Sequence, residues 1–117
     1  MISPLDSGIS AIAAFSVKMN VTANNIANLN SDGFKKSRAT LKEGKFGGVE
    51  PDVNQVNTPG HTQPISENGE VRQVEASNVD LAEELTDSIS TQAGYTANLK
   101  TIQAYDEMLG SLLDTIG

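Results

Sequence analysis

The sequence has no cysteine and no tryptophan, and only one histidine, two tyrosines and three phenylalanines in 117 residues. Without cysteine, neither a disulfide framework nor a thiolate metal site can form, and the chain suits oxidising and reducing compartments equally. His61 lies alone in the proline-rich stretch NTPGHTQP and has no second histidine to join it in a metal site or a catalytic triad. It reads as a solvated loop residue. Apolar residues make up 38% of the chain, against about 45–50% in ordinary domains. A chain this short buries only a modest core in any case, so its own interior supplies little stability. Long apolar runs are also missing: none approaches the roughly 20 residues that cross a bilayer. The N-terminal MISPLDSGISAIAAF has no basic residue before Lys18 and carries Asp6 where a secretory leader has its positive region, which argues against a cleaved signal.

The net charge of −7 is unevenly spread: residues 1–30 sum to zero, 31–48 to +3, 49–76 to −4 and 77–117 to −6. An acidic chain repels phosphate backbones, so nucleic acid is not an expected partner. The basic stretch FKKSRATLKEGK reads as a solvated loop. Asp80, Glu83, Glu84 and Asp87 have a helical spacing that could offer carboxylates to a cation, but no loop supplies the carbonyls calcium prefers. Complementarity to the positive end of a helix accounts for them better. GKFGG lacks the Lys-Ser/Thr ending and the preceding strand of a phosphate loop. Asn20-Val21-Thr22 fits a glycosylation sequon but falls inside a helical pattern. The expectation is therefore no enzyme, no metal and no cofactor.

Two helices are legible. Ser3-Pro4-Leu5-Asp6 reads as a helix start, with Ser3 as cap, Pro4 at the first helical position and Asp6 at the positive end of the dipole. Leu5, Ile12, Met19 and Ile26 form one seven-spaced row and Phe15, Thr22 and Leu29 the next, which predicts a helix from Pro4 to about Asn28. NSDGF ends it. The second pattern starts at Ser77 or Asn78 as cap. It carries Leu81, Tyr95, Ile102, Leu109 and Ile116 in one row and Leu85, Leu99 and Leu113 in another, over the proline-free stretch Val79 to Ile116. Between them, residues 34–76 hold three of the four prolines and a few alternating stretches such as GEVRQVEA, and read as loops with one short hairpin. The fold class is mainly α: two long terminal helices in an antiparallel coiled-coil-like pair, with a short irregular or β-containing insert. The divisions fall at 1–30, 31–76 and 77–117.

Both helices lack charge. Residues 1–30 contain only Asp6 and Lys18, and residues 88–105 only Lys100. An ordinary solvated face carries Lys and Glu, whereas small, uncharged, amide-bearing faces suit close packing against neighbours. VTANNIANLN places Asn24, Asn25 and Asn28 roughly opposite the Met19–Thr22–Ile26 side, facing away from the intramolecular seam.

These two segments resemble a known family. MNVTANNIANLNSDGFKKSR is similar to the N-terminal signature of the bacterial flagellar basal-body rod and hook proteins, and SNVDLAEELTDSISTQAGYTANLKTIQAYDEMLGSLL to their C-terminal signature. Carried over by position, the resemblance assigns assembly contacts to Ala23, Asn24, Asn25, Ile26, Ala27 and Asn28, and to Gly33 and Phe34 at the turn. At the other end it assigns them to Asn78, Val79, Asp80, Leu81, Glu84, Gln92, Tyr95, Ala97 and Asn98. The chain departs from the family where Ala93-Gly94 stands in place of the usual Arg-Ala before the tyrosine. Its middle is short, as in proximal rod subunits, while SDGFKKSR resembles the distal rod and hook wording.

The resemblance implies a structural axial subunit of the flagellar rod that polymerises helically, its terminal helices packed around the export channel. It also implies partners in copies of itself, in other rod and hook subunits and in the flagellar type III export apparatus, with a place in the basal body reached without a cleaved signal. The alternative reading is an export or assembly regulator that binds rod subunits without polymerising.

Overall fold

The computed structural model describes residues 3–117; Met1 and Ile2, the start of the predicted N-terminal segment, lie outside the described residues. Two helices, α1 (Pro4–Ala27) and α2 (Leu81–Ile116), flank four strands, β1 (Ser37–Glu43), β2 (Val49–Gln55), β3 (Thr62–Glu67) and β4 (Glu70–Glu75). The strands form two separate antiparallel hairpins, β1–β2 and β3–β4. The molecule measures 81 × 24 × 18 Å, and its radius of gyration is 20.8 Å, against about 13 Å for a compact domain of this length.

The start of α1 follows its sequence. Ser3 Oγ accepts from the Asp6 N–H at 3.1 Å, and Pro4 occupies the first helical position. The start of α2 differs from the sequence expectation. Asp80 is the cap, its Oδ1 accepting from Ala82 N (3.0 Å) and Glu83 N (3.3 Å). Ser77 and Asn78 are taken up elsewhere: Ser77 Oγ accepts from Val79 N, and the Asn78 side chain ties three loop segments together. An aspartate cap also brings charge to the dipole's positive end.

The helices run antiparallel with a constant register. Gly8 lies against Ile102, Phe15 against Gly94, and Asn25 against Glu84. Phe15, Thr22 and Ile102 of the predicted rows turn into the seam, but the fully buried positions are mostly not the large apolar ones. On α1 the buried positions are Gly8, Ala11, Ala14, Thr22 and Asn25, and on α2 they are Glu84 and Thr91. Leu5, Ile12, Met19 and Ile26 are only half-buried, and Leu81, Leu85, Leu99, Leu109, Leu113 and Ile116 are exposed. A seven-residue repeat fixes a period but not which row faces the partner. Here the phase is set by small residues that let the two helices approach. Gly94 shows how closely: a Cβ on it would lie 2.6 Å from Phe15 Cζ. The departure Ala93-Gly94 thus makes room for an aromatic ring, whose packing offsets the roughly 1 kcal/mol that glycine costs within a helix.

The basic stretch is not a solvated loop. Residues 37–43 form β1, which pairs with β2 so that Ala39 faces Val53 and Leu41 faces Pro51. The hairpin packs along α1, with Ala39 buried and Val49 N donating to Ser10 Oγ at 3.0 Å. β3–β4, a second hairpin where the sequence reading allowed one, turns at Asn68-Gly69 with both φ angles positive (56° and 83°), as a two-residue primed turn requires. Its residues are mostly exposed on both faces. Among the described residues, no helix is long and apolar enough to cross a membrane.

Candidate assembly interface

The sequence-assigned residues separate into an inward and an outward group. The inward group fastens the insert to the helix pair. Asn25, 1% exposed, donates through Nδ2 to Ser37 O (2.8 Å) and Glu84 Oε2 (3.2 Å), and its Oδ1 accepts from Ser37 N (3.0 Å). One asparagine therefore clamps the first residue of β1 and a carboxyl of α2 at once. Asn25 does not face away from the seam, contrary to the sequence reading. It stands three residues after Thr22, and three residues turn a helix by about 300°, so the two share a face.

Asn78 does the same for the loops. Its Oδ1 accepts from Lys36 N at 2.7 Å, and its Nδ2 donates to Val56 O (2.9 Å) and Thr58 O (2.8 Å). Its backbone N–H reaches Phe34 O at 3.3 Å, holding the half-buried Phe34 beside the buried Val79. Gly33, at φ 73°, sends its N–H to Glu75 O at 2.8 Å. Glu84 is the largest fully buried side chain; its Oε1 and the Thr91 hydroxyl one heptad on have no hydrogen-bond partner among the described residues.

Charge reinforces the attachment of β1 to α2. Lys36 Nζ lies 3.1 Å from Glu83 Oε2, Arg38 bridges Glu83 and Asp87 (2.7 Å to Asp87 Oδ2), and Lys35 pairs with Glu75. The hydrogen bond from Lys36 lowers the Glu83 carboxyl below its ordinary value, with the Arg38 charge adding to it against some desolvation. Glu75 is lowered by its hydrogen bond from Lys35 and then by the Gly60 N–H. Of the four dipole-facing acids foreseen from sequence, Glu83 and Asp87 thus have partners in the basic stretch.

The outward group comprises Ala23, Asn24, Ala27, Leu81, Gln92 and Ala97, all exposed. Ile26, Asn28, Tyr95 and Asn98 are half-buried, and the amides of Asn28 and Asn98 bond back to the carbonyls of Asn24 and Gly94 one turn earlier. Alongside them run Leu85 and Leu99, which sequence reasoning assigned to the seam, and Ile89, which it did not assign, all three exposed. Beyond Tyr105 every residue of α2 is exposed, including Met108, Leu109, Leu112, Leu113 and Ile116. This end projects past the start of α1 by about 16 Å, at 1.5 Å for each residue from Asp106 to Ile116. Soluble monomers rarely leave so contiguous an apolar face to water, and such faces mark interaction sites.

Residues 5–35 match the family model described as flagella basal body rod protein, and residues 72–115 match that of the flagellar basal body rod FlgEFG protein C-terminal region. The chain belongs to the flagellar basal-body rod protein family. The two matches fall on the two helices and their flanks, and leave most of the two hairpins between them. This rod-family chain is 54% identical over 43 residues to the flagellar basal-body rod protein FlgG of Bacillus subtilis, covering 37% of the chain and 16% of that protein. It is 49% identical over 47 residues to the flagellar hook protein FlgE of Borreliella burgdorferi, covering 38% of the chain and 11% of the relative. Against FlgE of Treponema pallidum it is 52% identical over 40 residues, 34% of the chain and 9% of the relative. The chain therefore spans less than a fifth of the length of these relatives.

Proposed function

We propose that this chain is a structural subunit of the flagellar rod that self-assembles helically through its terminal helices and forms part of the drive shaft. The observation that carries this reading is the inverted helix pair: it buries glycine, alanine, threonine, asparagine and glutamate, and turns Leu85, Ile89, Leu99 and the α2 end outward. A monomer gains nothing from that arrangement, whereas a bundle of neighbouring pairs buries the outer leucines against one another. Its partners are other copies and other rod and hook subunits, and the outward residues Ala23, Asn24, Ala27, Leu81 and Gln92 line the contacts. Asn25, Asn78 and Glu84 serve the same assembly indirectly, by fixing the insert on the helices. Delivery through the flagellar export apparatus to the periplasmic part of the basal body completes the reading.

The test replaces Ile89, 72% exposed, and Leu113, 67% exposed, by aspartate. Neither substitution touches the monomer's interior, so helix content by circular dichroism should be unchanged, while incorporation into purified hook–basal bodies, read by quantitative mass spectrometry, should be lost along with motility. Stoichiometric incorporation of both variants would overturn the reading. Wild-type chain found only in the cytosol would favour a regulator instead.

A further inference from the structure

A turn with open space around it joins β3 to β4. Asn68 and Gly69 are exposed, as are Glu67 and Glu70 on either side, and a Cβ built on Gly69 would meet nothing within 4 Å. Glu67 faces Glu70 as the last pair of the ladder, so the two turn residues stand outside it. The Gly69 N–H has no hydrogen-bond partner among the described residues. This nitrogen follows an asparagine, and glycine has no side chain to shield it. It is a free nucleophile next to a carboxamide carbon.

The chain has ten asparagines, and only Asn68 precedes a glycine. After Asn30 the next N–H, that of Ser31, donates to Asn28 O at 3.1 Å, and after Asn78 that of Val79 donates to Ser77 Oγ at 3.2 Å. After Asn20, Asn24, Asn25 and Asn98 it lies within a helix. The β3–β4 hairpin is also unequally held along its length. At its base Ala76 N donates to His61 O and Gly33 N to Glu75 O, both at 2.8 Å, and the Glu75 carboxylate accepts the Gly60 N–H at 3.0 Å. Towards the tip, residues 66–73 are all exposed, and two strands alone make a marginal structure. Opening therefore starts at the turn. It releases the Asn68 backbone from its left-handed φ of 56° and lets the Gly69 nitrogen swing onto the side chain.

We propose that Asn68 is a site of spontaneous deamidation, and that its isoaspartate product unfastens the tip of the β3–β4 hairpin and leaves the helices intact. The Gly69 nitrogen bonds to Asn68 Cγ, the Cγ–Nδ2 bond breaks, and Nδ2 leaves as ammonia with the proton that the Gly69 N–H gives up. The product is a cyclic imide, which water reopens. Addition of water at Cγ breaks the new bond and leaves aspartate on the original main chain. Addition at the backbone carbonyl carbon breaks the original peptide bond instead and leaves isoaspartate, whose main chain runs through the former side chain. The balance is one water taken up and one ammonia released, and each product carries a new carboxylate. Aspartate-glycine fits a primed two-residue turn as asparagine-glycine does. Isoaspartate adds a methylene to the main chain and so breaks the register that the turn sets. The reaction does not depend on the self-assembly proposed above.

The test incubates the full chain at mildly alkaline pH, folded and in urea, and follows the peptide carrying Asn68 by mass spectrometry with fragmentation that tells isoaspartate from aspartate. Conversion in the folded chain should be confined to Asn68 and run within about tenfold of the unfolded rate, as a marginal hairpin allows. The separated isoaspartate form should lose amide protection in β3–β4 with unchanged helix content by circular dichroism. Asn68→Asp, which has the added charge on a normal main chain, should keep that protection. An Asn68 that stays intact, or that converts more slowly than this in the folded chain, would overturn the proposal, as would earlier conversion at Asn30. Full hairpin protection in the isoaspartate form, or equal loss of it in Asn68→Asp, would overturn the unfastening by the rerouted main chain.

Discussion

Replacing Asn25 by alanine separates an inward asparagine from an outward one. The substitution removes three hydrogen bonds, two to the backbone of Ser37 and one to Glu84 Oε2. It leaves a buried carboxyl whose other oxygen already has no partner among the described residues. A buried polar group left unsatisfied costs about 1–3 kcal/mol. Glu84 is fully buried and incurs that cost in full, while the half-buried Ser37 is partly repaired by water. The expected destabilisation is about 2–4 kcal/mol, a large share of the roughly 6–18 kcal/mol that 117 residues sustain. In urea unfolding followed at 222 nm, with a slope of about 1–3 kcal/mol per molar, the midpoint should fall by at least about 0.7 M. Because much of the loss comes from the stranded carboxyl, Asn25→Ala combined with Glu84→Ala should cost at least about 1 kcal/mol less than the sum of the single variants. An Asn25→Ala cost under about 0.5 kcal/mol, the range of ordinary surface changes, or strict additivity in the cycle, would refute the reasoning and return Asn25 to a contact between copies.

Gly94→Ala gains about 1 kcal/mol of helix propensity but drives a methyl into the Phe15 ring, and overpacking of this kind costs about 1–3 kcal/mol. The variant should be less stable by about 1 kcal/mol in the same urea assay, and Phe15→Leu added to it should recover that loss; a stabilised Gly94→Ala would show that the ring swings aside freely. The lowered carboxyls of Glu83 and Glu75 also fix a pH dependence. A group whose folded value is depressed contributes stability above its unfolded value and loses it as pH falls through the folded one. The attachment of β1 to α2 should therefore hold at neutral pH and weaken on acidification below the ordinary carboxylate range, seen as lower amide protection in β1 relative to the intrinsic exchange rate at each pH. Glu83→Gln should exchange faster at neutral pH with a flatter response to acid, and an unchanged acid response in that variant would count against the ion pairs.

How much was legible in the sequence follows from what each signal encodes. Caps and breakers act locally, so Ser3-Pro4 and NSDGF placed α1 to within a residue, and the proline-free stretch placed α2 within a few. The heptad period was visible too. Its phase was legible only in part: Thr22, Phe15 and Ile102 of the named rows do turn inward, but Leu85 and Leu99 outrank Ala11 and Thr91 on any hydrophobicity scale, and only the close approach at Gly8 and Gly94 keeps those leucines outside. The basic stretch misled for a related reason. Lys36 and Arg38 find their acids 45 or more residues away in sequence, on α2, a pairing that composition cannot show. Asn68-Gly69 was a readable hairpin signal, flanked by alternating ISE and EVRQV. Of the family-assigned residues, Asn25, Asn78 and Glu84 hold the subunit's own parts together, a role no local signal announces.

The unequal lengths of the two helices have a mechanical consequence. In the self-assembled rod proposed above, a unit whose longer helix runs on for about 16 Å beyond its shorter one would be laid without flush joints, each copy bridging the seam between the copies beside it like a brick in running bond. A shaft laid up in this way has no cross-section that passes only between molecules. Twisting load in such a shaft would cross every level partly through continuous covalent backbone, and parting the copies would mean breaking lateral contacts along the whole length of their overlap.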